Sequence, residues 1–240
     1  MKVVAIGDIH GRTTWKDIVN SNTDADKFVF IGDYFDTHED VSGQQQIENF
    51  KDIIKYKSDN LDKVVLLTGN HDFHYLKGVN EKYSGYQQWQ QFDIQILLHA
   101  AIDMDFIKMC FIHDKYLFTH AGVSKTWAKK ILGNGDIKLD GGNMLEKIIN
   151  DTFKYQPNLF RFTHGITGDM YGDEICQTPI WIRPKSLKKD RLENFIHVVG
   201  HTTQDYIKQD ESGIILIDTL GTSGQYLIIN DSEIKVETVN

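Results

Sequence analysis

Five short apolar runs in this chain are each followed by a polar loop that contains glycine together with Asp, Asn or His. Each run has the length and the β-branched composition of a buried strand. The runs cover residues 3–6, 28–31, 64–67, 116–118 and 195–199. Ligands bind outside the carboxyl ends of strands in open α/β sheets. The pattern therefore predicts that the five loops converge on one site.

Helical patterns lie between the strands. Apolar side chains recur at helical spacing in residues 47–54 and 89–102, and a third helix is predicted to begin at Ser124. The same spacing predicts that Trp89 and Phe92 pack their helix onto the core. Strands that alternate with helices favour an α/β sandwich.

Three further strand-like runs close the chain, at residues 214–217, 225–229 and 233–238. Because they follow one another without helices, they predict a second sheet with mixed or antiparallel pairing. No linker divides the chain by composition. The predicted fold class is therefore α/β, a two-sheet β-sandwich flanked by helices, in a single domain over residues 1–240.

Composition excludes several classes of protein. The net charge is -8 and no basic stripe is present, so stable nucleic-acid binding is not expected. The two cysteines, Cys110 and Cys176, are too few for a disulfide framework and are predicted to be free thiols. No apolar run is long enough for a signal peptide or a membrane span, so we expect a cytoplasmic protein without membrane contact.

The strand-end loops carry a set of side chains that suits divalent cations. Carboxylate and amide oxygens together with imidazole nitrogens, without a thiolate, suit Mn, Fe or Zn better than Ca. The candidate ligands are Asp8, His10, Asp33, Asn70, His120 and His201. Histidines outside this pattern are predicted to be exposed or hydrogen-bonded structural residues, namely His74, His99, His113, His164 and His197.

The combined motifs resemble those of the calcineurin-like metallophosphoesterases, and within them the phosphoprotein-phosphatase branch. The resemblance extends from the first strand to about residue 202 and implies a four-layer α/β/β/α sandwich. The matching segments are Gly7-Asp8-Ile9-His10-Gly11, Gly32-Asp33-Tyr34-Phe35-Asp36, Gly69-Asn70-His71-Asp72, Thr119-His120-Ala121-Gly122 and Val199-Gly200-His201.

The resemblance also implies roles for these residues. One ion is held by Asp8, His10 and Asp33, and a second by Asp33, Asn70, His120 and His201. His71 is similar to the catalytic histidine of the family, and Asp36 to the carboxylate that orients it. The implied cofactors are two divalent ions, with Mn favoured over Fe or Zn. The implied reaction is in-line attack on a phosphate ester by a hydroxide that bridges the two ions.

Two departures from the family pattern affect the substrate. Protein phosphatases of this branch carry Arg-Gly where this chain has Thr37 and His38, so another group must bind phosphate. We expect Asn70, Arg183 and Arg12 to do so, because the planar guanidinium suits phosphate oxygens. Nucleases of the superfamily carry a second histidine where Thr203 stands in this sequence, which disfavours diester cleavage.

The favoured function is therefore the hydrolysis of phosphate monoesters on a protein, such as a phosphoserine or phosphothreonine protein, or on a small molecule. The alternative is a hydrolase of nucleotides, dinucleoside polyphosphates or phosphodiesters. A non-catalytic scaffold is disfavoured because the ligand set is complete. Tyr83 and Tyr86, which flank Gly85, are hypothesised to contact the substrate. Nothing in the sequence predicts the oligomeric state.

Overall fold

Eleven strands and seven α-helices are present among residues 1–79, 81–133, 143–165, 167–231 and 233–239, which this computed structural model describes. The strands are β1 (Lys2–Ile6), β2 (Lys27–Phe30), β3 (Val64–Leu67), β4 (Ile107–Lys108), β5 (Cys110–His113), β6 (Tyr116–Thr119), β7 (Ile196–Val199), β8 (Lys208–Asp210), β9 (Ile214–Leu216), β10 (Gln225–Asn230) and β11 (Glu233–Thr238). The helices are α1 (Trp15–Ser21), α2 (Gly43–Asp59), α3 (Asn70–Phe73), α4 (Gln91–Asp103), α5 (Lys125–Leu132), α6 (Asn143–Tyr155) and α7 (Pro184–Asp190).

The strands form two mixed sheets. The first sheet has the order β11-β10-β1-β2-β3-β4, in which β1 to β4 are parallel and β10 and β11 are antiparallel. The second has the order β5-β6-β7-β9-β8, in which β6, β7 and β9 are parallel and the two edge strands are antiparallel. The sheets are flanked by helices, which confirms the predicted α/β sandwich.

The two faces of β1 explain why the strand sequence is a continuous apolar run. Val3 and Ala5 lie in a cluster that includes buried side chains of both sheets, such as Val29 and Val198. Val4 belongs instead to the larger cluster that includes buried helix residues. Strands covered on both faces lose the polar alternation of a half-exposed sheet.

The ends of α5 follow local sequence signals. The Ser124 hydroxyl oxygen accepts the Trp127 backbone N–H at 3.0 Å and so satisfies one donor of the first turn. At the other end Gly133 has φ = 75°, a left-handed value that favours glycine. The predicted start of this helix is confirmed, and the helix ends at a glycine.

The predicted packing of Trp89 and Phe92 is wrong. Trp89 precedes α4 and is 92% exposed, and Phe92 is 68% exposed. The face that α4 buries contains Ile94, Leu98 and Ala101. The helix carries apolar residues at helical spacing on two faces, so the period identifies a helix but does not identify the side that meets the core.

The closing strands also differ from the prediction, because they do not build the second sheet together. Only β9 joins that sheet, whereas β10 pairs antiparallel with β1 and carries β11 at the edge of the first sheet. The register places Val3 opposite Ile229. Hydrophobic alternation identifies strands but carries no information about which sheet edge they join.

Two further features of the described residues concern the cysteines and the apolarity of the helices. Cys110 and Cys176 are both free, as predicted. None of the described helices combines the length and the apolarity that crossing a bilayer requires.

Candidate metal centre

The carboxyl ends of β1, β2, β3 and β7 open into one cavity of about 870 Å³. Five of the six predicted metal ligands line it, and the sixth, His120, is buried in the loop after β6. The lining ligands are Asp8, His10, Asp33, Asn70 and His201. The structure thus places the predicted ligand loops of both sheets around one site.

The ligand side chains lie within direct reach of one another. The Nε2 atom of His120 lies 3.4 Å from Asp33 Oδ2 and 2.9 Å from Asn70 Oδ1. The Nδ1 atom of His201 lies 2.9 Å from the same Asn70 oxygen. The Nε2 atom of His10 lies 3.7 Å from Asp33 Oδ2. Asp33 and Asn70 are therefore each shared by two imidazoles.

Backbone contacts fix which ring nitrogen of each histidine faces the site. In the rings of His10, His120 and His201, one nitrogen lies beside a backbone carbonyl oxygen. Because a carbonyl oxygen can only accept a hydrogen bond, that nitrogen carries the proton in the neutral ring. The pairs are His10 Nδ1 with Phe35 at 2.9 Å, His120 Nδ1 with Ile31 at 3.1 Å, and His201 Nε2 with Trp181 at 3.2 Å. The other nitrogen of each ring directs its lone pair at site oxygens.

This arrangement fits a bound cation. Lone pairs of nitrogen and oxygen that face one another repel unless a positive charge lies between them. The Oδ1 atom of Asp8 is also buried without a hydrogen-bond partner among the described residues, while its Oδ2 accepts the His201 backbone N–H at 2.9 Å. An orphaned carboxylate oxygen beside inward-facing imidazoles suits a divalent ion of borderline hardness.

The electrostatics of the site lead to the same conclusion. Burial, with Asp218 and Asp33 nearby, raises the pKa of Asp8 well above its ordinary value. Burial and the Arg183 guanidinium lower the pKa of His201, which keeps that imidazole neutral. A bound cation would reverse the first shift and favour the second, because metal ligands bind in their deprotonated forms.

The site loops hold backbone conformations that non-glycine residues rarely adopt. The left-handed φ values are 43° at His10, 49° at Asp33, 61° at Asp36 and 61° at His201. All four are predicted site residues. Such strain persists where surrounding structure fixes the backbone, and it is concentrated at functional sites.

Asp72 supplies part of that fixation. Its carboxylate accepts the backbone N–H groups of Asp33 at 2.8 Å, Tyr34 at 2.7 Å and Gly69 at 2.9 Å. Asp72 is fully buried and does not line the cavity. It ties the loop after β2 to the loop after β3 and so acts as a hydrogen-bond acceptor behind the ligands.

His71 and Asp36 form a pair on the cavity wall. The His71 Nδ1 atom lies 3.0 Å from Asp36 Oδ2, and the His71 backbone N–H donates to Asp33 Oδ1 at 2.9 Å. Burial alone would lower the pKa of His71, but Asp33 and Asp36 outweigh it and raise that pKa above 6.5. The ring is thereby oriented and favoured in its protonated form.

His74, predicted from the sequence to be an exposed or hydrogen-bonded structural histidine, is a neighbour of this pair. It is buried, its Nε2 lies 2.6 Å from Asp36 Oδ2, and its Nδ1 accepts the Tyr83 backbone N–H at 3.2 Å. The Tyr75 hydroxyl donates to the other Asp36 oxygen at 2.5 Å. The signal that was available is its position three residues after His71, one helical turn along.

The two candidate arginines line the cavity but are engaged differently. Arg12 Nε donates to Glu39 Oε1 at 2.7 Å. Arg183 donates from Nε to the Tyr171 carbonyl at 2.7 Å and from Nη1 to the His201 carbonyl at 2.9 Å. Arg183 is therefore braced by backbone oxygens, whereas Arg12 is neutralised by a carboxylate.

Asp218 is a second residue that the sequence analysis missed. It follows β9, is 5% exposed, lines the cavity and accepts the Thr203 hydroxyl at 2.8 Å. The strand-end rule that identified the other loops applies equally to the run at residues 214–217. Extending it to the closing strands would have found this carboxylate.

Comparison with known proteins agrees with the fold and the site. The family model described as calcineurin-like phosphoesterase matches residues 1–205. Comparison with curated protein sequences gives no match.

Among solved structures, one similar chain is a protein serine/threonine phosphatase of Saccharomyces cerevisiae with similarity to human phosphatase PP5. Its TM-score is 0.57 at 15% identity, over 100% of this chain and 80% of that one. Another is a metallophosphoesterase of Sphaerobacter thermophilus, with a TM-score of 0.51 at 13% identity, over 100% of this chain and 88% of that one. At these identities the likeness concerns the fold alone. The sequence match over residues 1–205 carries the assignment: the chain belongs to the calcineurin-like phosphoesterase family and is a hydrolytic metallophosphoesterase.

Proposed function

We propose that this enzyme is a phosphatase that hydrolyses phosphate monoesters at the cavity where the two sheets meet. The observation that carries the proposal is the pairing of two features in one cavity. Inward-facing lone pairs of three imidazoles surround Asp33 and Asn70, and the His71–Asp36 pair stands beside them. The first feature suits metal ions, and the second suits a proton donor for a leaving group.

The proposed metal ligands are the six predicted residues, with Asp33 shared between two ions. When bound, two divalent ions would neutralise phosphoryl oxygens and lower the pKa of water enough to make it a nucleophile. Mn is the favoured metal and Fe or Zn are alternatives, because the donors are oxygen and imidazole nitrogen without thiolate. The six ligands are Asp8, His10, Asp33, Asn70, His120 and His201.

The remaining steps belong to residues of this chain. His71, protonated, donates its proton to the departing ester oxygen, and Asp36 holds the ring and favours the charged form. Asn70 and Arg183 bind phosphoryl oxygens. Arg12 joins them only when its contact with Glu39 opens, since that carboxylate now occupies its Nε group.

The preference for monoesters over diesters is supported by the position of Thr203. It brings a hydroxyl, which donates to Asp218, and thus no second imidazole beside that of His201. Nucleases and phosphodiesterases of the superfamily commonly carry a histidine at this position. The proposed substrate is a phosphorylated protein or a phosphorylated small molecule. Phosphoserine and phosphothreonine peptides therefore belong among the substrates to be tested.

The test is hydrolysis of p-nitrophenyl phosphate by metal-stripped protein, with and without Mn²⁺, beside bis-p-nitrophenyl phosphate. We expect Mn²⁺-dependent turnover of the monoester, a lower rate on the diester, and loss of both in Asp33→Asn. The matched control is Asp93→Asn, a carboxylate exposed on α4. Folded protein that binds Mn²⁺ but turns over no monoester would contradict the proposal, and a preference for the diester would contradict its choice of substrate.

A further inference from the structure

One wall of the catalytic cavity is built from aromatic rings. We define the aromatic wall as Tyr83, Phe162, Tyr171 and Trp181, all of which line the cavity. The Trp181 ring lies 5.6 Å from the ring of the proposed ligand His201 at an interplanar angle of 87°. The aromatic wall therefore begins in direct contact with a proposed metal ligand.

The rings continue outward from Trp181 in edge-to-face contacts. Tyr83 lies 4.5 Å and Phe162 lies 5.1 Å from the Trp181 ring, centroid to centroid. Tyr171 stands at the rim, 74% exposed, beside Met170, which is 76% exposed. Large apolar side chains that are exposed together at the mouth of a cavity mark a ligand-contact surface.

The inner part of the wall is fixed before any ligand arrives. Trp181 is 6% exposed. The Tyr83 ring stacks on His74 at 5.1 Å with an interplanar angle of 10°, and its backbone N–H donates to His74 Nδ1. A rigid surface binds with a smaller loss of conformational entropy than one that must order on binding.

Most of the surface that the wall offers a ligand is ring carbon, and Trp181 Nε1 is a buried N–H without a hydrogen-bond partner among the described residues. The Tyr83 hydroxyl donates to Glu81, and the Tyr171 carbonyl accepts from Arg183. A sugar or a peptide backbone placed here would exchange its hydrogen bonds to water for contacts with ring carbons, which is unfavourable. A planar aromatic ring loses little in that exchange and gains stacking or edge-to-face contacts.

We propose that the aromatic wall binds a planar aromatic ring in the leaving group of the phosphate ester. This inference rests on the proposed phosphatase function and adds the chemical class of the substrate. The phosphoryl group lies at the ligand cluster, Arg183 stands between it and the rim, and the ring packs against Tyr83 and Tyr171. Two kinds of phosphate ester carry such a ring. In one the aromatic ring lies close to the ester oxygen, and in the other it is the base of a nucleotide.

The test compares benzyl phosphate with cyclohexylmethyl phosphate in the Mn²⁺-loaded enzyme. Both esters release a primary alcohol and carry a six-membered carbon ring, but only one ring is planar and aromatic. We expect kcat/KM to favour the benzyl ester about tenfold, the scale of one aromatic stacking contact. Calorimetric titration with benzylphosphonate and cyclohexylmethylphosphonate, which cannot be hydrolysed, should give the same preference in Kd.

Variants assign the preference to the wall. Tyr171→Leu and Tyr83→Leu should each reduce the benzyl preference several-fold, and Tyr171→Phe, which keeps the ring, should retain it. The matched control is Tyr155→Leu, because Tyr155 is 73% exposed at the end of α6 and does not line the cavity. Equal binding of the two phosphonates by the unaltered protein, or a preference unchanged in both leucine variants, would overturn the proposal.

A second pair of esters separates the two sources of the ring. Adenosine 5′-monophosphate and 1-O-methylribose 5-phosphate differ in the base alone. A preference for the nucleotide assigns the wall to a base, and a preference confined to the benzyl pair assigns it to a ring next to the ester. Failure of the phosphatase function would appear instead as a lack of turnover on all four esters, while the phosphonate titrations still report on the wall.

Discussion

The Nε2 atom of His74 lies 2.6 Å from the Oδ2 atom of Asp36, the same oxygen that lies 3.0 Å from Nδ1 of His71. One carboxylate oxygen therefore contacts two imidazoles, one on the cavity wall and one buried. Because the other nitrogen of His74 accepts the Tyr83 N–H, the loop that carries Tyr83 is connected to the proposed proton donor through two residues, His74 and Asp36.

Replacing His74 should affect the reaction according to the leaving group. In His74→Leu, Asp36 loses one contact and holds His71 less firmly, so we expect kcat on methyl phosphate to fall about tenfold, a fraction of a general acid's contribution. On 2,4-dinitrophenyl phosphate the fall should be smaller, because that leaving group needs no proton. His74→Gln keeps an N–H donor and should retain most of the activity.

Both variants require a melting curve, since His74 is buried. Equal losses on the two esters at equal folded fractions would contradict the connection through Asp36 and would indicate a purely structural role. Rescue by Gln but not by Leu would support it.

The raised pKa of His71 predicts the direction of a pH effect in the metal-free protein. Burial alone would lower that pKa, but Asp33 and Asp36 raise it above 6.5, so the ring should titrate above pH 6.5 when followed by NMR. The stabilisation that accompanies this shift is fully present below pH 6.5 and is lost as pH rises through the folded pKa. Asp36→Asn should lower the His71 pKa, and an unchanged titration would show that Asp36 is not its partner.

Gly200 should tolerate no side chain. A Cβ atom there would lie 1.8 Å from Asp8 Oδ1, so Gly200→Ala must displace a proposed ligand. We expect Mn²⁺ binding, measured by calorimetry, to be weakened at least about tenfold. The control is Gly78→Ala, where φ is 85° and no atom of the described residues lies within 4 Å of the added Cβ. There the backbone strain costs about 1 kcal/mol and the proposed ligands are left in place. Equal Mn²⁺ affinity in both variants would contradict this account.

The face that α4 buries can be tested with two isoleucines on one helix. Ile94 is 0% exposed and Ile96 is 66% exposed. Ile94→Ala should lower the free energy of unfolding by about 2–5 kcal/mol, because it leaves a cavity in the core. Ile96→Ala should change it by less than about 0.5 kcal/mol. Urea unfolding measures both, and a larger effect at Ile96 would restore the packing predicted from the sequence.

The strands and the ligand loops were predictable because their signals are local. A short apolar run that ends in Gly and Asp, as before Asp33, specifies a strand and a sharp loop within a few residues. The packing of Phe92 and the pairing of β10 with β1 were not predictable in this way. They depend on which of two apolar faces, or which sheet edge, meets a partner distant in the sequence.

Within the site, the residues that act behind the ligands were the hardest to find. His74 belongs to no family motif that the sequence analysis used, and its contact with Asp36 depends on the fold of two loops. Asp218 did carry the strand-end signal. The sequence does not show that β9 lies in the same sheet as β7, the strand before His201, and that pairing is what brings Asp218 to the site.

The proposed ligands come from both halves of the sandwich, and this has a thermodynamic consequence. Asp8, Asp33 and Asn70 follow strands of the first sheet, whereas His120 and His201 follow strands of the second. Ions bound among them are cross-links between the sheets, and their affinity adds to the free energy of folding by mass action, about 2.7 kcal/mol at a metal concentration of 100 Kd. The melting temperature should therefore rise with free metal concentration, and a cell that withholds the metal would lower the amount of folded enzyme as well as its activity.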